Sequence, residues 1–179
     1  MIFSTFDKKM FLRFKELFKK RNYTCDGNIK VQEYRTILEG VRPDGTIVVL
    51  VYVPETKFSV KTAERCLSAW EKTPVKHLII VYRDQITCFA RRLLQACTLM
   101  ELESFAAKEL ETPIVNHRLQ PKSFKSVNPN ILGKVKPSML PKMYESDPVA
   151  KYFHFVKGDV IEIERKNGVV IYREVIEDG

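Results

Sequence analysis

Two carboxylates and a lysine offer the most specific chemistry in this chain. Pro43-Asp44 and, after ten intervening residues, Glu55-Thr56-Lys57 spell PD…ExK. In that outline Asp and Glu hold Mg²⁺ while Lys steadies the attacking water, the chemistry of a metal-dependent nuclease. Both carboxylates must then aim at one point, with the ExK segment inside a strand. Here Asp44 sits in a Pro-Asp-Gly turn signal and Pro54 stands immediately before Glu55, so the competing reading is a turn and a loop. Glu164-Arg165-Lys166 is a weaker echo of E-x-K beside a hairpin turn. His77, His117 and His154 are far apart, with no cysteine or carboxylate at ligand spacing. His77 is expected to open a strand and His117 to hydrogen-bond structurally. There is no nucleophile elbow and no repeat, and seven glycines leave little for a phosphate loop. The expectation is no catalytic residue, no metal and no cofactor.

The elements that would position any site alternate. Phe6, Met10, Phe14, Leu17 and Phe18 repeat at helical spacing over Thr5–Arg21, with Lys8, Lys9, Arg13, Lys15, Lys19 and Lys20 on the other side. A basic amphipathic helix can lie on a membrane, but a packed surface helix is the commoner case. Asn22 and the Tyr23–Asn28 stretch end it, and Val31–Leu38 reads as a second, shorter helix. Thr46–Val53 and Lys76–Tyr82 are apolar runs with little alternation, as in strands covered on both faces. Ser59 caps a helix carrying Val60, Ala63, Leu67 and Trp70. Ile86–Cys97 reads as another helix, with Phe89, Leu93 and Leu94 inside. Leu99–Glu103 is a short strand and Phe105–Leu110 about two helical turns. This alternation predicts an α/β layer from about Met1 to Leu110.

The chain has 179 residues, enough for one or two small domains, and its 45% hydrophobic, 29% charged composition excludes disordered and fibrous classes. No apolar run approaches the ~20 residues that cross a bilayer. The first residues lack a signal-peptide cleavage site, and four cysteines form no CxxC pair, so an intracellular, reduced chain is expected. The net charge of +8 is unevenly placed. No acid stands between Glu111 and Glu145, whereas Arg118, Lys122, Lys125, Lys134, Lys136 and Lys142 are basic. That stripe suits a phosphate backbone, an acidic protein surface or a solvated linker.

The strongest local signals lie between Leu140 and Arg173. Asp147 is placed to cap a short helical turn, with Pro148 at its first position. A β-hairpin follows, read as turning on a two-residue type I′ Asn167-Gly168 loop. That register sets Ile163 opposite Tyr172 and Arg165 opposite Val170. Ile161, Ile163, Val170 and Tyr172 then share one face, and Glu162 can pair with Arg173 on the other. This is a docking module, with nothing catalytic in it.

LPKM…DPVAKYF…KG.VI.I.R…YR also resembles the C-terminal assembly domain of subunit five of eukaryotic RNA polymerases and of its archaeal counterpart. Lys57–Thr62 with KHLIIVY resembles, more loosely, that family's N-terminal jaw, and His117-Arg118-Leu119-Gln120-Pro121 its entry into the assembly domain. Ser123 stands where the family has a second histidine, and His154 replaces a usual glycine. The Asn128–Pro137 stretch is shorter than the family's helix there, and the Lys166–Val170 hairpin lacks a longer serine-rich turn. A divergent, trimmed member of this kind suits a polymerase encoded by a large DNA virus.

The resemblance implies two domains. Residues 1–112 would form an α/β jaw (a mixed sheet flanked by helices, nuclease-like) and residues 113–179 a small α+β assembly domain with a β-hairpin. It implies a non-catalytic subunit of a multi-subunit DNA-dependent RNA polymerase, anchored to the largest subunit, with the jaw near downstream double-stranded DNA and no membrane or small-molecule substrate. Compartment would be the nucleus for a cellular protein, and host cytoplasm, virion or nucleus for a viral one. Partner-binding residues carried over are His117, Pro121, Leu140, Pro141, Asp147, Pro148, Val149, Ala150, Tyr152, Lys157, Gly158, Arg165, Tyr172 and Arg173. Lys61, Arg91 and Arg92, flanking the jaw helices, are the candidates for phosphate contact. The alternatives are a nuclease-like DNA-binding protein using PD…ExK and a free-standing basic adaptor.

Overall fold

Met10, Phe14, Leu17 and Phe18 form the buried stripe of the first helix, α1 (Thr5–Lys20). Asn22, at φ +58°, stops it in the left-handed conformation, and the Tyr23 N–H closes the end on the Phe18 carbonyl. The computed structural model describes residues 5–25, 29–32 and 35–178, with the side chains of residues 5–8, 29 and 32 left aside. Phe6 and Lys8 of the sequence pattern therefore lie outside the described side chains. The chain divides into two units, residues 1–112 and 113–179.

In the first unit, β1 (Ile29–Gln32), β2 (Arg35–Val41) and β3 (Ile47–Val53) pair antiparallel. The helix expected over Val31–Leu38 is thus replaced, in its described residues, by strands. Pairing of Ile37 with Val51 and Leu38 with Leu50 buries both side chains, and that tertiary gain overrides local propensity. Gly40 in β2 is required by close approach, because a Cβ there would meet the Phe18 ring at 2.7 Å and the Thr24 carbonyl at 2.8 Å.

Next come β4 (Lys57–Phe58), α2 (Val60–Ser68), β5 (His77–Tyr82), β6 (Gln85–Ile86), α3 (Cys88–Gln95), β7 (Glu101–Ala106) and α4 (Ala107–Glu111). The main sheet is mixed, in the order β1-β2-β3-β5-β7, with β3, β5 and β7 parallel. Every residue of β5 is buried, and of β3 only Ile47 is not. Val49, Val51, Leu78 and Ile80 face Ala63 and Cys66 of α2 and Ala90 and Leu94 of α3. Tyr52, on the opposite face, meets Phe14 of α1 at 5.8 Å between ring centroids.

Two boundaries differ from the sequence reading. β7 runs on to Ala106, matching β5 residue for residue, so Phe105 is strand and Leu99 is an exposed residue before it. α3 begins at Cys88 behind a Thr87 cap and buries Ala90 and Leu94; Phe89, expected inside, falls off that stripe and is 71% exposed.

The second unit carries β8 (Ser123–Val127), β9 (Lys142–Tyr144), α5 (Pro148–Phe153), β10 (Val160–Glu164) and β11 (Val170–Ile176). Its sheet runs β8-β10-β11-β9, with β9 parallel to β11. Met143, Val149 and Ala150 gather Val115, Phe124, Phe153 and Phe155, and Ile161, Ile163 and Val175 continue this core across the sheet. Among the described residues no helix is long and apolar enough to cross a membrane.

Candidate docking site on the C-terminal unit

The hairpin register decides what this unit presents. Ile163 pairs with Ile171, Glu162 with Tyr172 and Ile161 with Arg173, one residue away from the expected pairing. The Gly168 N–H bonds the Arg165 carbonyl at 2.9 Å and the Arg165 N–H bonds the Val169 carbonyl at 2.8 Å, leaving a three-residue loop. Only Gly168, at φ +82°, takes the left-handed conformation; Asn167 does not, and its Oδ1 accepts from the Val169 N–H at 3.2 Å. This is a type I turn followed by a bulge, which also matches strand twist. A one-residue slip exchanges faces. Ile171 and Val175 therefore join Ile161 and Ile163, while Val170 is 44% exposed and Tyr172 lies on the other side. Glu162 accepts from the Tyr172 hydroxyl at 3.1 Å rather than pairing with Arg173, and that bond, the largest cause, holds the phenol above its usual pKa.

Asp147 caps α5 as its sequence implies, Oδ1 accepting from the Val149 N–H at 2.8 Å, with Pro148 in the first helical position. α5 is only six residues long and covers part of the sheet. Beside it remains a half-open cavity of about 320 Å³. Its apolar floor is Phe124, Met143, Val149, Ile163 and Ile171, and its polar lining includes Gln120, Asp147, Arg165 and Arg173. Six of the fourteen carried-over partner residues line it: Pro121, Asp147, Pro148, Val149, Arg165 and Arg173. They come from separate segments of chain.

The other eight lie elsewhere. Ala150 and Tyr152 are buried, so they are core. Leu140 and Tyr172 are half-buried, and Pro141 is exposed, its carbonyl accepting from the Glu174 N–H at 3.1 Å. Lys157 is an exposed ion-pair partner of Glu177 at 2.7 Å, and Gly158, at φ +92°, turns the chain into β10. His117 is exposed, its Nδ1 accepting from the Leu119 N–H at 3.3 Å. Sequence reasoning missed Phe124 and Ile171 as floor residues; the hairpin register places Ile171, and the pairing of β8 with β10 sets Phe124 opposite Ile163. Of the basic stripe, Lys122 pairs with Glu164 at 2.6 Å and Lys142 with Glu174.

In the first unit, the nuclease outline does not converge. Asp44 lies in the turn before β3, accepting from the Thr46 N–H at 2.8 Å, a bond that holds its carboxyl below the usual range. Glu55 lies beyond the far end of β3, whose seven residues span ~23 Å at about 3.3 Å each. Its carboxylate is already engaged by Thr62 Oγ1 at 2.8 Å and Arg65 at 2.9 Å. Two carboxylates so placed cannot share an ion.

Lys61, Arg91 and Arg92 are all exposed. The two-residue parallel pairing of β4 with β6 sets the starts of α2 and α3 side by side, which brings the three onto neighbouring helices. Glu55 and Glu64 share the shallow surface around Lys61, and Arg91 lies near enough to Tyr82 to oppose the rise that burial gives its phenol.

At the other end of the sheet, Arg21 forks onto Glu103 at 2.7 and 2.8 Å, both buried. Glu103 Oε1 also meets His77 Nε2 at 2.6 Å, and an Arg42 nitrogen lies 2.6 Å from His77 Nδ1. Arginine only donates, so Nδ1 accepts and Nε2 carries the proton toward Glu103. His77 does open β5, as a structural hydrogen-bonding residue.

Residues 113–175 match the family described as "RNA polymerase Rpb5, C-terminal domain". The chain is 30% identical over 133 residues to DNA-directed RNA polymerases I, II, and III subunit rpabc1 of Dictyostelium discoideum, covering 69% of this chain and 68% of that protein. The chain belongs to the Rpb5 family. RPABC1 of Caenorhabditis briggsae is 29% identical over 152 residues, covering 79% of this chain and 72% of its own length. A putative DNA-directed RNA polymerase subunit, 454R of Invertebrate iridescent virus 6, is 33% identical over 110 residues, covering 54% and 59% respectively. The groove beside α5 thus falls within the Rpb5 C-terminal segment, and a viral protein is among the relatives.

Proposed function

We propose that this Rpb5-family chain is a non-catalytic subunit of a multi-subunit DNA-dependent RNA polymerase. Residues 113–179 dock it on the largest subunit, and the N-terminal unit serves as a nuclease-like jaw toward downstream DNA. One observation carries the docking reading: Pro121, Asp147–Val149, Arg165 and Arg173, from separate segments, meet around one open apolar cavity within the family's C-terminal segment. A floor of isoleucine, valine and phenylalanine with a charged lining has the anatomy of a protein interface. The test is co-expression of the tagged full chain with the cognate largest subunit, followed by affinity capture and identification of that subunit by mass spectrometry. Stoichiometric recovery is expected, and its absence under conditions where both chains are soluble overturns the docking reading.

A further inference from the structure

We propose that the groove beside α5 is built for an acidic protein segment carrying one bulky apolar anchor. This rests on reading residues 113–179 as the docking half, and it names the chemistry of what docks. The decisive residue is Arg173, which the register places on the apolar face of the sheet, across from Ile161. Among the described residues its guanidinium makes one hydrogen bond, to the Lys142 carbonyl at 3.3 Å, and meets no carboxylate. Arg165, exposed at the mouth of the same cavity, has no side-chain partner among the described residues.

The contrast with nearby lysines is informative. Lys122 and Lys142 each have a carboxylate from this chain, Glu164 and Glu174, whereas the two arginines have none among the described residues. A guanidinium on an apolar surface is favourable only when a counter-charge with matching geometry arrives, and its planar fork suits a carboxylate. The acid in the lining, Asp147, already accepts from the Val149 N–H, and no cation of the chain pairs with it among the described residues. Beyond Arg165 the surface continues as a shallow depression of about 520 Å³ bearing Arg118 and Lys166, so the positive rim extends away from the apolar floor. An apolar side chain seated over Ile163 and Ile171, with carboxylates of the same segment on Arg173, Arg165 and the depression, uses the apolar floor and the arginines together. A basic segment would instead face the cations of the rim.

The test uses the full chain and overlapping synthetic peptides that tile every subunit of the cognate polymerase. Captured peptides should carry a bulky apolar residue followed or preceded by two or more carboxylates. The Arg165→Gln/Arg173→Gln chain should bind them roughly tenfold or more weakly. Arg165→Glu alone, which disturbs no side-chain bond within the described residues, should weaken them in the same direction. Lys134→Gln/Lys136→Gln, removing two exposed charges outside the groove, should leave binding unchanged. Acidic, apolar-anchored peptides from a subunit other than the largest would support this inference while overturning the docking partner proposed above. Capture of basic or uncharged peptides, capture of none, or equal loss in the lysine variant would overturn the inference.

Discussion

Arg173 lies directly across the β10–β11 ladder from Ile161, on the face that also carries Ile163, Ile171 and Val175. The relation is set by three loop residues, Lys166, Asn167 and Gly168, and by the positive φ of the last. It makes the groove both apolar and cationic, and it puts a glycine in charge of which side chains line it.

Gly168→Ala should therefore destabilise the chain by about 1 kcal/mol, the cost of a left-handed non-glycine residue. A Cβ there meets nothing within 4 Å, so no clash adds to it. Denaturant titration should show a lower midpoint with an unchanged slope. NMR distance restraints should still pair Ile163 with Ile171; a pairing of Ile163 with Tyr172 would refute the register.

Capping and charge at Asp147 separate by substitution. Asp147→Ala should lose about 1 kcal/mol of stability, whereas Asn caps as well as Asp. Asp147→Asn should thus leave stability near wild type. If the carboxylate meets a partner's cation, incorporation into polymerase should still fall in Asp147→Asn. Incorporation that tracks stability in both variants would leave Asp147 as a helix cap alone.

Removing charge at Lys61, Arg91 and Arg92 should weaken the polymerase's hold on downstream duplex without altering sequence preference. The dependence of log affinity on log salt should become shallower by about one for each phosphate that is no longer neutralised. Identical affinity and salt slope in the triple variant would make the three ordinary solvated charges.

Burial pushes the Cys66 thiol up to about 11, the opposing pull of Arg35 and Arg65 being smaller, while Cys88 is exposed. The folded thiol holds its proton more tightly than the unfolded one. Its contribution to stability is therefore complete below the ordinary thiol range and is lost as pH rises through about 11. Iodoacetamide at mildly alkaline pH should label Cys88 and spare Cys66 in the native chain. Cys66→Ser should flatten the stability decline between about pH 9 and 11. Native labelling of Cys66 at the rate of Cys88 would contradict this.

The sequence by itself determined whatever depends on neighbours along the chain. α1 and its asparagine stop, the buried runs of β3 and β5, the Ser59 cap and the Asp147-Pro148 start of α5 follow from periodicity and capping chemistry. The resemblance carried by LPKM…DPVAKYF also led to the right family, because that run keeps its residue order whatever the register of the sheet. Tertiary structure decided the rest. β2 is a strand because β3 offers it a partner and β1 because β2 does in turn, and Phe89 is outside because the stripe of α3 is set by the sheet beneath it. Asp44 and Glu55 match a nuclease outline in sequence, but an extended strand holds them apart. The hairpin shows the limit most clearly. Asn167-Gly168 is compatible with two-residue and three-residue loops, and the choice between them exchanges every side chain between faces. Burial of Ile171 and Val175 against Phe124 and Phe155 makes that choice, and so sends Arg173 to the apolar side.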